Sequence, residues 1–149
     1  MFPDIESIAA FCGGLIGAEL YIGDIPEQKT IPAIAFPPPR IVDSPGNLAS
    51  FRKTYTLIVK IFDESDSKAF AMAETIADGI RYPRYRIPEL DESGTATGSF
   101  IRIDQMDLQM AGTGEAQLTL VWTRQDNYER ETYEKIKRLT IAERVKNDA

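Results

Sequence analysis

The chain has 149 residues, 43% of them hydrophobic and 27% charged, the size and composition of one soluble domain with a substantial core. It carries a formal net charge of −6, a single cysteine and no histidine. The missing histidine excludes Ser-His-Asp and Cys-His catalysis and every zinc site that uses histidine. The lone Cys12 excludes an internal disulfide, and the acidity argues against DNA binding through the overall field.

Residues 4 to 12 place Ile5, Ile8, Ala9 and Cys12 at helical spacing, with Asp4 as the expected cap and the glycines of "GGLIG" as the expected break. The apolar run from Ile8 to Ile22 is interrupted by Gly13, Gly14, Gly17 and Glu19, so it cannot serve as a membrane span. Asp4 and Glu6 stand where a signal peptide is basic, and the expectation is synthesis in the cytoplasm. "AELYIG" reads as a short strand ended by Gly23, and residues 24 to 32 as a loop.

"IAFPPPRIVDSP" (residues 34–45) sets three prolines against apolar flanks. A groove ligand of the PxxP type is exposed and spaced differently, so a folded edge segment is the better reading. Ile34–Phe36 adds a strand, Pro37–Pro39 stops the ladder, Arg40–Val42 continues along an edge, and "DSPGN" turns back.

Residues 51 to 62 give the clearest strand, with Phe51, Tyr55, Leu57, Val59 and Ile61 on one face and Ile58 and Phe62 off it. "DESDSKAF" opens a helix capped by Ser65 or Asp66. Its core stripe is read as Ala69, Phe70, Ala73, Ile76, Ala77 and Ile80, and Gly79, Pro83 and Pro88 as its end. Residues 91 to 99 are polar and read as an exposed turn or a long hairpin tip. In the strand at 100–110, Ile101 and Ile103 alternate out of phase with Met106, Leu108 and Met110, which predicts a β-bulge near Asp104–Gln105. "AGTGE" is a turn, and Leu118, Leu120 and Trp122 share one face of the last strand. Residues 126 to 147 are charged and read as a helix with a thin stripe of Tyr133, Ile136, Thr140 and Val145.

The fold class is therefore α+β: a small mixed, mostly antiparallel sheet packed by one main helix, with a short N-terminal helix and a charged C-terminal one. Residues 1–149 are expected to form a single domain with 126–149 as a peripheral helix.

No candidate chemistry converges. The glycines of "GGLIG" and "AGTGE" lack Rossmann or P-loop spacing. The acids "DESD" at 63–66 lack the pattern and glycine of a calcium loop, and a helix cap explains them. "RYPRYR" at 81–86 is the one basic and aromatic cluster. It has three readings: a nucleic-acid contact through stacking and guanidinium groups, a protein interface, or a post-helix segment in which tyrosines pack and arginines solvate. The candidate subunit or partner contacts are Arg40, Arg81, Tyr82, Arg84, Tyr85, Arg86, Tyr133 and Ile136. No cofactor, metal or catalytic residue is expected.

Several phrases occur in a telling order: "LYIGDIP", "IPAIAFPPPRIVDSP", "KTYTLIVKIF" running into "DESDSKAFAMAETIADGI", "IPELDESG", a bulged strand ending in "DLQM", and "AGTGEAQLTLVW". In that order over nearly the whole chain, the sequence resembles the tail terminator and tail-to-head joining proteins of long-tailed bacteriophages. The resemblance implies a non-enzymatic virion component at the tail or neck. It would be a homo-oligomer, a hexameric ring, that caps the tail tube protein and meets the head connector or stopper protein, with viral DNA passing through its lumen. Another neck component, such as a head-closure stopper or adaptor, is the nearest alternative. A nucleic-acid-binding module acting through Arg81, Arg84 and Arg86 is the rival from another class.

Overall fold

The computed structural model describes residues 3–128. Its elements run α1 (Pro3–Leu15), β1 (Glu19–Ile22), β2 (Ala33–Phe36), β3 (Arg40–Asn47), β4 (Ser50–Phe62), α2 (Asp66–Arg81), β5 (Arg86–Leu90), β6 (Ala96–Gly112) and β7 (Glu115–Asn127). The strand order is β1-β2-β4-β7-β6-β5, and β3 also pairs β4. The β1–β2 pair is parallel, and β2–β4, β5–β6 and β6–β7 are antiparallel. The fold is α+β with a mostly antiparallel sheet, as the sequence predicts. The expected C-terminal helix, with Tyr133 and Ile136, lies outside the described residues beyond 128, and its expected first residues, Asp126 and Asn127, end β7 as strand.

The chain forms two compact units. One comprises the residues up to Val42 together with Thr54–Thr123; the other is Asp43–Lys53 with the segment from Arg124. The first holds the core, made by alternation. Leu57, Val59 and Ile61 of β4 and Ala116, Leu118, Leu120 and Trp122 of β7 are buried, while Ile58 stays 40% exposed. All four residues of β2 are buried, and β1 and β4 pair its two edges. Each fully buried large side chain contributes about 1.5–3 kcal/mol.

Trp122 joins three elements. Its ring stacks on Tyr55 at 5.2 Å between centroids, and its Nε1 donates to Asp4 Oδ2 at 2.9 Å. Asp4 is thus spent on Trp122 from within the first helical turn, and Pro3 opens α1, as suits a residue without an amide hydrogen. Helix α1 also passes through Gly13 and Gly14 to Leu15, beyond its expected break, with Ile5, Ile8, Ala9 and Cys12 buried. Buried Ser7 links it to the sheet edge, donating to Pro3 O at 3.2 Å and accepting from Leu90 N at 3.0 Å. Burial pushes the Cys12 thiol up to about 12.

Helix α2 starts as expected. Ser65 Oγ accepts from Lys68 N at 3.2 Å, while Asp66 Oδ1 accepts from Gly114 N at 2.6 Å. Its buried stripe is Ala69, Met72, Ala73, Ile76, Ala77 and Ile80. Met72, at i+3 from Ala69, takes the place expected for Phe70, which is 39% exposed. Gly79 does not end the helix; it lies inside it, where a Cβ would stand 2.5 Å from Leu15 Cδ1.

The bulge lies where the phase slip places it: Ile103 pairs Trp122 and Gln105 pairs Val121, with a register shift between them. The segment expected as a long polar tip is tighter, for β6 begins at Ala96. Asp91 Oδ1 accepts from Ser93 N, Ser93 Oγ and Thr95 N at 2.7–2.9 Å and closes that turn. No helix among the described residues is long and apolar enough to cross a membrane.

In the second unit, β3 runs on through Asp43–Asn47, exposed at every residue. "DSPGN" is strand, and the turn follows it at Leu48–Ala49. Asn47 Oδ1 accepts from Ala49 N at 2.8 Å and from Ser50 Oγ at 3.1 Å, an Asx-type turn whose signal is Asn47 rather than the Pro-Gly before it. The strand ends are tied by Tyr128 N to Ala49 O at 2.8 Å and Gln125 Nε2 to Ser50 Oγ at 3.0 Å.

Candidate interface

The cluster at 81–86 sits where α2 hands over to β5. The helix closes with Arg84 N donating to Arg81 O at 2.9 Å and Tyr85 N donating to Ile80 O at 2.8 Å. These are the two bonds of a Schellman motif, whose left-handed C′ position is usually glycine. Here that position is Arg84, at φ 63°, and Tyr85 follows at φ 62°. Two adjacent non-glycine residues in this region cost about 1–2 kcal/mol each, and such strain concentrates at functional positions.

The turn aims the cluster outward. Ile103 N donates to Tyr85 O at 2.8 Å, and the β5–β6 register then sets Arg86 against Arg102, Ile87 against Ile101 and Pro88 against Phe100. Ile87 and Ile101 are buried, so alternation turns Arg86, Pro88, Phe100 and Arg102 to the other face. Arg86 stands 5.2 Å from the centre of the Phe100 ring, and its Nε donates to Pro83 O at 3.3 Å. Tyr82 is 84% exposed and Phe100 50%. Packed tyrosines, one of the three sequence readings, are thus not what Tyr82 shows.

The structure gathers Arg81, Tyr82, Arg84, Tyr85 and Arg86 at one end of α2 and the start of β5. Arg81 is engaged locally, its Nη1 2.8 Å from Asp78 Oδ1 and 3.5 Å from Glu74 Oε2, and the Asp78 hydrogen bond holds its guanidinium pKa above the usual value. Arg40 stands apart: it opens β3, which pairs β4, and β7 and β6 separate β4 from β5 in the strand order. Arg102 and Phe100 belong with the cluster and were invisible in sequence, because Pro88 hid the strand that pairs with them. An edge strand tolerates that proline.

A separate hollow of about 360 Å³ in the second unit is lined by Asp43, Ser44, Pro45, Phe51, Lys53 and Tyr128. The Phe51 and Tyr128 rings lie 5.4 Å apart, and Lys53 Nζ stands 5.6 Å from the Phe51 ring. Among the described residues no group of three or more His, Cys, Asp or Glu side chains is placed to hold a metal ion.

No protein-family model matches the chain. Uncharacterized protein YqbJ of Bacillus subtilis (strain 168) is 37% identical over 131 residues, 88% of this chain and 90% of YqbJ. Phage-like element PBSX protein XkdJ of the same organism is 33% identical over 123 residues, 83% of this chain and 84% of XkdJ. The chain belongs to the family of YqbJ and XkdJ. With such coverage the kinship extends over most of the fold described above. A solved chain from the virion of a native gene transfer agent particle aligns with a TM-score of 0.48 at 8% identity, covering 83% of this chain and 94% of that one.

Proposed function

We propose that this member of the YqbJ and XkdJ family is a structural virion protein of a phage-type particle. It assembles into a ring that ends the tail tube and joins it to the head connector, and DNA passes through the ring. Its work is assembly rather than catalysis. The observation that carries this reading is the 33% identity to XkdJ, a protein of the phage-like element PBSX, across 84% of XkdJ's length.

Two features of the chain support it. The basic and aromatic surface at the end of α2 has the Arg and Tyr composition of protein contacts. The net charge of −6 suits a channel through which DNA slides without adhering. The test is to fractionate induced particles and locate the chain by immunogold electron microscopy. Label at the junction of head and tail is expected; a chain found only outside particles would overturn the reading.

A further inference from the structure

The cluster carries an electrostatic oddity. Arg86 and Arg102 are direct cross-strand partners, both exposed, and like charges so placed repel. No ion pair to either, or to Arg84, occurs among the described residues. The next acid along β6, Asp104, stands at the bulge. A chain with a surplus of acid thus holds three arginines without an ion pair among the described residues, one of them, Arg84, on the strained turn, and Tyr82 and Phe100 of the same cluster are exposed.

The complementary charge lies at the other end of the strand order. β5 is the last strand and β1 the first. Glu19 on β1 and Asp24 and Glu27 in the loop after it are exposed. The one base among them, Lys29, lies 4.5 Å from the Phe62 ring. Both edges belong to the same compact unit.

We infer that the Arg84, Arg86 and Arg102 edge of one copy docks on the Glu19, Asp24 and Glu27 edge of the next. The occupant of the basic surface is a second copy of this chain rather than DNA. A contact between two different surfaces is heterologous, and it closes into a ring when the rotation between copies closes. The inference rests on the ring reading above and supplies its contact. The aromatic groups give apolar area at the centre, and the charges set register and exclude wrong partners.

The experiment is a charge swap read by native mass spectrometry and light scattering on the full chain. One variant carries Arg86→Glu and Arg102→Glu; the other carries Glu19→Arg and Glu27→Arg. Unchanged thermal melting confirms that both fold, since all four side chains are exposed. Wild type is expected to assemble, with an assembled fraction that falls as salt rises. Each variant alone should lose assembly at least tenfold, and an equimolar mixture should regain it as alternating copies. Variants that assemble like wild type would overturn the contact and leave the ring reading standing. A wild type that never assembles would overturn both. If the arginine variant keeps its assembly but loses salt-sensitive binding to duplex DNA, the surface is a phosphate site and the inference is wrong.

Discussion

Replacing Arg84 by glycine removes a side chain from a backbone position at φ 63° without breaking an ion pair among the described residues. A non-glycine residue in the left-handed region costs about 1–2 kcal/mol, and glycine returns roughly 0.5–1 kcal/mol through the greater freedom of the unfolded chain. The difference favours Arg84→Gly by about 0.5–1 kcal/mol. For a chain of this length that corresponds to a melting shift of roughly +1 to +4 °C. In urea, with a slope near 2 kcal/mol per M, the midpoint rises by roughly 0.3–0.5 M. The assay is equilibrium urea unfolding at a protein concentration where wild type and variant have the same mass. Arg84→Ala is the control, since it deletes the guanidinium but keeps a Cβ at the same φ, and it should not stabilise. A lower midpoint for Arg84→Gly, or equal gains from glycine and alanine, would refute the reasoning that this turn stores backbone strain. A stabilised Arg84→Gly that assembles less well would fit a residue retained for contact rather than for folding.

Gly114→Ala is expected to act in the opposite direction. Gly114 has φ +68° and an added Cβ would lie 2.6 Å from Asp63 O, so a melt should show a loss of roughly 2–4 kcal/mol from strain and overlap combined. The Cys12 thiol, buried and with its pKa pushed up to about 12, should resist maleimide at pH 8 in the folded protein and react once it is unfolded; equal rates in both states would contradict its burial. The Asp91 carboxyl is held below its ordinary 3.8, chiefly by the hydrogen bond from Ser93 Oγ, with backbone amides of Thr95, Ser93 and Gly94 adding to it. A group with a depressed folded pKa adds stability above its unfolded pKa, and that stability is lost as pH falls through the folded value. The window is therefore below pH 3.8. NMR titration should place the Asp91 carboxyl under that value and find it raised in Ser93→Ala; no change in Ser93→Ala would remove the hydroxyl as the main cause.

The elements legible in the sequence are those whose periodicity is strong and whose ends are chemically marked. β4 and β7 show their buried faces by alternation, and the shift between Ile103 and Gln105 appears as a slip of phase. Ser65 marks the start of α2. What stayed hidden depends on tertiary context. Pro88 and the turn at Arg84–Tyr85 obscured β5, since only the strand order shows that β5 is an edge where proline fits. "DSPGN" has turn composition, yet Asp43–Asn47 extend the strand and the turn at Leu48–Ala49 is closed by the Asn47 side chain. Gly13, Gly14 and Gly79 looked like helix stops, but the helices run through them, and Gly79 is where Leu15 approaches closely. The candidate interface was half legible for the same reason. The run at 81–86 stands out in sequence, but Arg102 and Phe100 join it only through the β5–β6 register.

Electron microscopy with native mass spectrometry of the purified full chain, alone and with tail tube protein, decides whether the chain builds a ring. One closed ring of defined copy number is expected, with a mass for the chain alone that is a whole multiple of 16.7 kDa. A chain that stays monomeric in both conditions would contradict it.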